Sequence, residues 1–208
     1  MRFSDRAEAG RLLGDALVGR LPTTDVIVLG LPRGGVPVAR EVSARLSAPL
    51  DIVVVRKLGL PGHRELAIGA IAGGGVRVLN PEVVERHRLS PQLIDQVAAA
   101  ESVELTRRET AYRGDRAPLD VRGRTAVIVD DGLATGATMR VAAIAVRRLG
   151  AAALVCAAPV APVSAPALLR DVADDVVAVL LPDDFYAVGG FYDDFRETSD
   201  DEVRAAFA

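Results

Sequence analysis

Two short apolar runs, Asp25–Leu29 (DVIVL) and Leu50–Val55 (LDIVVV), stand on either side of a helical stretch, Gly34–Leu46, and that order leaves few folds open. Runs this short, and apolar at nearly every position, read as strands buried on both faces. Two strands joined by a helix pair in one sheet in parallel, with the helix crossing over a face. The same order returns later: Thr125–Val129 as a strand, Ala137–Leu149 as a helix, Ala152–Ala158 as a strand, Ser164–Val172 as a helix and Val176–Leu181 as a strand. The expectation is an α/β fold, a central, mostly parallel sheet flanked by helices.

The remaining segments attach to that frame. Asp5–Arg20 carries Ala7, Leu12, Leu13, Ala16 and Leu17 as an apolar stripe and reads as an amphipathic helix. Lys57–Gly75 is rich in glycine and interrupted by Pro61, so it cannot be one regular element. Within it, Ala67–Ala72 and the following Val76–Leu79 fit a hairpin around Gly73-Gly74-Gly75. Ser90–Arg113 is a long helix with Ser90 as its N-cap and Pro91 at its first position. The tail from Pro182 onward is aromatic and acidic before a last short helix. No repeat or low-complexity linker divides the 208 residues, a length that suits a single domain over 1–208.

Composition removes several classes of function. A net charge of −3, with the arginines spread along the chain, gives no long-range attraction for nucleic acid or for an anionic membrane. Met1–Gly10 lacks the apolar core of a secretory signal, and the apolar stretch Ala151–Val163 is too short to span a bilayer, so a cytoplasmic protein is expected. Cys156 is the only cysteine, which excludes an intrachain disulfide, and its apolar surroundings suggest a buried structural thiol. With two histidines, His63 and His87, a His-rich metal site is excluded.

The segment that carries chemistry is Val127–Met139, Val-Ile-Val-Asp-Asp-Gly-Leu-Ala-Thr-Gly-Ala-Thr-Met. A strand runs into two adjacent acids, then into a loop of small residues and hydroxyls that opens a helix. Parallel sheets bind ligands at the carboxyl ends of their strands. A helix N-terminus preceded by such a loop is an anion site, because free N–H groups and the helix dipole both favour negative charge. Thr135 and Thr138 add hydroxyl donors, and Gly136 lets the backbone come close. The adjacent carboxylates can accept from the vicinal hydroxyls of a ribose, or reach a magnesium ion directly or through its waters. A phosphorylated sugar fits better than a nucleoside triphosphate, whose G-x-x-x-x-G-K-[ST] loop is absent.

This segment resembles the signature of the type I phosphoribosyltransferases, an apolar strand followed by two acids and a T-G-x-T loop. The resemblance implies that fold, with a small hood or flexible-loop region, and Mg²⁺ with 5-phosphoribosyl-1-pyrophosphate as phosphoribosyl donor. By the resemblance, Asp130 and Asp131 hold the ribose hydroxyls and serve catalysis and the metal, while Ala134, Thr135, Gly136, Ala137 and Thr138 hold the 5′-phosphate. Leu29–Pro37 is a second Gly-rich loop after a strand, where the family keeps its diphosphate loop, so Arg33, Gly34 and Gly35 are diphosphate candidates. Arg56 and Lys57 end a strand with two cations that suit a diphosphate, or form a solvated basic pair. Family members often carry a catalytic lysine there, before a mobile loop; here that stretch includes His63, Arg64 and Glu65.

The tail Leu181–Arg196 is similar to the P-D-x-F…V-G…D stretch of hypoxanthine-guanine phosphoribosyltransferases. That likeness would have Phe185 or Tyr186 stack on a base and Asp193 face the metal; alternatively these aromatics pack the C-terminal helix. The base-reading lysine of those enzymes has no counterpart in Val160–Leu181, so no particular base is implied. The expected reaction displaces diphosphate from C1 of the ribose by a nitrogen nucleophile, with Arg33 and Lys57 on the leaving group. The alternative is a regulatory or sensor protein that binds the donor and transfers nothing. The resemblance also implies a homodimer.

Overall fold

Residues 1–207 are described by the computed structural model, residues 64 and 65 without their side chains. The chain runs α1 (Arg6–Leu17), β1 (Val26–Gly30), α2 (Gly35–Leu46), β2 (Leu50–Ile52), β3 (Val55–Leu60), β4 (His63–Ala72) and β5 (Val76–Leu79). It continues with α3 (Pro81–Arg86), α4 (Pro91–Arg113), β6 (Thr125–Val129), α5 (Ala137–Arg148), β7 (Ala153–Val160), α6 (Ala165–Leu169), β8 (Asp175–Leu180) and α7 (Asp200–Ala205). The main sheet has five strands in the order β2-β1-β6-β7-β8, every pair parallel, as the strand–helix–strand order requires.

The apolar runs are continuous because each strand feeds two cores. Ile27, Leu29, Ile128, Leu154 and Cys156 face α5 and α6, whereas Val28, Val127, Val129, Val155 and Ala157 face α1 and α2. Burial pushes the Cys156 thiol up to about 12, which leaves it a packing group rather than a nucleophile.

The expected strand Leu50–Val55 is in fact divided. β2 pairs with β1 over Leu50–Ile52 only, since β1 ends at Gly30, and Val53 N–H makes the last bond to the Gly30 carbonyl at 3.1 Å. From Val55 the chain joins a second, antiparallel sheet, β3-β4-β5. Pro61 does not leave an irregular loop there: Leu60 pairs with His63, so Pro61-Gly62 is a hairpin turn, with Gly62 at φ +82°. The hairpin expected around Gly73–Gly75 is present as β4 and β5, with β4 beginning at His63. This hood packs Leu58, Leu60, Ile68 and Ile71 against Ile94, Ala98 and Leu105 of α4 and Val203 of α7. Ser90 caps α4, its Oγ accepting from Leu93 N–H at 3.2 Å, with Pro91 in the first turn.

Asp51, 5% exposed on β2, ties the two parts together. Its Oδ1 accepts from Arg113 Nε at 2.9 Å and from Ile52 N–H at 2.8 Å, and its Oδ2 from Leu119 N–H at 2.9 Å. A buried carboxylate so supplied is compensated for leaving water. Glu109 on α4 is treated differently. Burial raises its carboxyl above the ordinary 4.5, Arg113 opposes the rise and Asp51 adds to it. A raised folded value means stability that is full below 4.5 and is lost as pH climbs through the raised value. Glu109→Gln should therefore melt higher than the parent at pH 7, by a few degrees at most, about 2–4 °C per kcal/mol, and match it near pH 4. A Glu109→Gln chain that melts lower at pH 7 would show the charge to be useful.

Candidate active site

The direction of chain crossing places the site. From β1 the chain crosses over α2 to β2 on one side, and from β6 it crosses over α5 to β7 on the other. The carboxyl ends of β1 and β6 therefore border the switch point, where open parallel sheets leave a crevice. Both loops singled out in the sequence emerge there: 31–34 after β1 and 130–136 after β6.

The two loops lie against each other. Leu31 N–H donates to the Val129 carbonyl at 2.9 Å. A Cβ on Gly35 would sit 2.6 Å from the Val129 carbonyl oxygen and 2.8 Å from Asp130 Cα. One on Gly34 would collide with Asp131 Oδ2. The Gly34-Gly35 pair is thus demanded by the approach of this loop to the acids. The Pro32–Arg33 peptide between strand and glycines is cis.

Asp130 N–H donates to the Ala157 carbonyl at 3.2 Å, and Asp131 N–H donates to Asp130 Oδ1 at 2.9 Å. Burial raises both carboxyl groups above their ordinary value, and the charge of Asp131 raises Asp130 further. Asp131 is eased by Arg6, whose Nε and Nη2 each lie 2.8 Å from its Oδ2. Beyond the acids, Leu133 is buried and its N–H donates to the Val160 carbonyl at 2.9 Å, which fixes the loop's path. Gly136, at φ +70°, turns the chain into α5 and brings no side-chain cap. Thr135 Oγ1 accepts weakly from Ala137 N–H at 3.4 Å. Ala134, Thr135, Ala137 and Thr138 are exposed, so the first turn of α5 opens to solvent, an arrangement that can hold an anion.

The predicted residues gather unevenly. Asp130, Asp131, Gly34, Gly35 and 134–138 come together at the switch point. Arg33 is held by the C-terminal segment, paired with Glu197 and, at 3.5 Å, with Asp200 Oδ1, which also accepts from Tyr112 Oη at 3.1 Å. Arg56 is bound to Glu101 of α4, Nε at 2.9 Å and Nη2 at 2.6 Å, with Lys57 exposed beside it on β3. Phe185 stacks on Phe191 with centroids 5.6 Å apart, and Tyr186 is 93% exposed. Asp193 is exposed and pairs with Arg2 at 2.9 Å. The side chains of Arg64 and Glu65 lie outside the described residues. Arg6 and Tyr192, whose hydroxyl donates to the Asp131 carbonyl at 2.6 Å, were not found from sequence. Arg6 stands 125 positions from Asp131, and nothing local marks it.

A protein of Mycobacterium tuberculosis (strain H37Rv) named "Putative phosphoribosyl transferase Rv0571c" is 49% identical over 203 residues, 98% of this chain. Its counterpart in strain CDC 1551 / Oshkosh matches equally. The chain spans about half the length of these curated relatives, 46% of each. The crystal structure of TT1426 from Thermus thermophilus superposes with a TM-score of 0.85 at 45% identity, covering 99% of this chain and 97% of that one. The family model described as "Phosphoribosyl transferase domain" matches residues 7–196, which include both loops and the acidic pair. The parallel sheet, its switch-point loops and that match agree, and the chain belongs to the phosphoribosyl transferase domain family.

Proposed function

We propose that the chain binds 5-phosphoribosyl-1-pyrophosphate with Mg²⁺ and transfers the phosphoribosyl group to a nitrogenous base, releasing diphosphate. The observation that carries this reading is the packing of the glycines of one loop against the carboxylates of the other, beside the open N-terminus of α5. Three neighbouring surfaces then meet three parts of one ligand. The 5′-phosphate takes the N–H groups and hydroxyls of 134–138, the ribose hydroxyls donate to Asp130 and Asp131, and the diphosphate lies along 33–35. As the bond from C1 to diphosphate lengthens, positive charge grows on the sugar, and the two fixed carboxylates stabilise it. The electron pair leaves with the diphosphate, which Arg33 and Lys57 bind. Because Glu197 and Asp200 already hold Arg33, the diphosphate competes with two carboxylates for that guanidinium. Tyr186 is the ring we assign to the base, since Phe185 is stacked on Phe191.

Among the described residues no group of three His, Cys, Asp or Glu side chains could hold a metal. Mg²⁺ does not need one, because it keeps several waters and binds through one or two carboxylates plus substrate phosphates. The acidic pair, with one oxygen of Asp131 committed to Arg6, fits that mode; Asp193 is engaged with Arg2. Asp130 and Asp131 would hold the ion, which supplies charge neutralisation on the leaving diphosphate.

Isothermal titration of 5-phosphoribosyl-1-pyrophosphate into the protein, with and without Mg²⁺, tests the reading. Metal-dependent binding is expected, followed by diphosphate release when purine, pyrimidine and pyridine bases are screened. Folded protein that binds no donor with the metal present overturns it. Binding without release against every base would instead mark a sensor.

A further inference from the structure

Asp131 is gripped from behind by a cation that has no freedom left. Arg6 opens α1, where Asp5 caps the first turn by accepting from Glu8 N–H at 2.8 Å. Its Nε and Nη2 both reach Asp131 Oδ2 at 2.8 Å, and its Nη1 donates to the Arg196 carbonyl at 2.8 Å. The face of the guanidinium lies on the Phe195 ring, 4.1 Å from its centroid. Phe195 in turn packs on Tyr192, centroids 5.0 Å apart, and Tyr192 Oη holds the Asp131 carbonyl. Both charged side chains are largely buried, Arg6 13% and Asp131 15% exposed, so the pair is shielded from solvent competition.

The fork decides which carboxylate oxygens face a ligand. Asp131 Oδ2 is committed to Arg6, and Asp130 Oδ1 is committed to Asp131 N–H. Among the described residues one oxygen then remains on each acid, Asp131 Oδ1 and Asp130 Oδ2. Two fixed acceptors on adjacent residues match two hydroxyls on adjacent carbons, each donating once. Without the fork, Asp131 could rotate about χ2 and offer both oxygens to whatever approached. We infer that Arg6 is a specificity-determining positioning residue, which sets the acidic pair to receive a cis-diol and so selects ribose 5-phosphates over their 2-deoxy counterparts. This rests on the donor-site reading above.

The test is titration of ribose 5-phosphate, 2-deoxyribose 5-phosphate and inorganic phosphate into the parent protein, Arg6→Gln and Arg6→Lys, with circular dichroism confirming the fold of each. The parent is expected to prefer the ribose ligand by on the order of 10- to 100-fold, the worth of one hydrogen bond to a charged acceptor. Arg6→Gln should collapse that preference to within about threefold while phosphate affinity changes less than about twofold, because the α5 N-terminus is untouched. Arg6→Lys, which keeps the charge but not the fork, should fall between. A full preference surviving in both variants, or an equal loss of phosphate and sugar binding, overturns the assignment of Arg6. A parent protein that binds both sugars alike removes the donor-site reading itself, and the role of Arg6 with it.

Discussion

Asp130→Asn combined with Asp131→Asn is expected to weaken binding of 5-phosphoribosyl-1-pyrophosphate by on the order of 10²–10⁴-fold and to abolish diphosphate release, in a protein that still folds. In the proposed donor site each carboxylate would offer the ribose a charge-assisted hydrogen bond of roughly 1.5–3 kcal/mol, and about 1.4 kcal/mol is tenfold in affinity. The fold survives because these charges cost the native state. Burial raises both carboxyl groups, and Asp130 is raised again by the charge of Asp131. A folded value above the unfolded 3.8 means stability present at low pH and lost as pH rises through the folded value, so at neutral pH the parent carries a penalty that asparagine lacks. The single variants should separate. Asp130→Asn removes a repelled charge and should melt above the parent. Asp131→Asn leaves the Arg6 guanidinium without its anion and should not. Calorimetry at pH 7 reads the melting order and titration reads the binding; near-parental donor affinity in the double variant would sink the assignment of the acidic pair.

Gly35→Ala should cost both stability and binding. The new methyl would lie 2.6 Å from the Val129 carbonyl oxygen and 2.8 Å from Asp130 Cα, and both belong to the backbone at the end of β6. A flexible side chain could swing aside, but a paired central strand cannot, so the 31–35 loop must lift. Overpacking of this kind costs about 1–3 kcal/mol, a fall in melting temperature of about 2–4 °C per kcal/mol. The lifted loop also leaves the acids, so donor affinity should drop alongside. Gly190→Ala is the control: no described residue lies within 4 Å of its added Cβ, and its effect should stay within about 0.5 kcal/mol. If Gly35→Ala melts with the parent, the close approach of the two loops is not what holds the site together.

The sheet was legible because strands buried on both faces leave unbroken apolar runs such as Val26–Leu29 and Ala126–Val129. The acidic pair and its loop were legible because one continuous segment carries strand, acids and helix start. The split between β2 and β3 was hidden, since Leu50–Val55 is apolar at nearly every position and nothing in it marks where pairing with β1 ends. The start of the hood strand β4 carries no such signal, because His63, Arg64 and Glu65 show no apolar run. The ion pairs were hidden for another reason. Arg33 meets Asp200 across 167 positions and Arg6 meets Asp131 across 125, and a charge on a helix end or in a Pro-Arg-Gly turn is ordinarily solvated. Only the folded backbone says which carboxylate each will find.

The bracing of Asp131 also fixes when the site can exist. Arg6 comes from the first helix, Asp131 from the middle of the chain, and Tyr192 and Phe195 from a segment tied back to Phe3 by a parallel bridge. During synthesis β1 and β6 are available to pair well before the tail emerges. The last contacts, spanning nearly the whole chain, carry the heaviest loop-closure entropy and form late. The acidic pair is then braced only once residues 192–196 have closed back onto α1, so the loop of 130–136 is complete in sequence before its geometry is set.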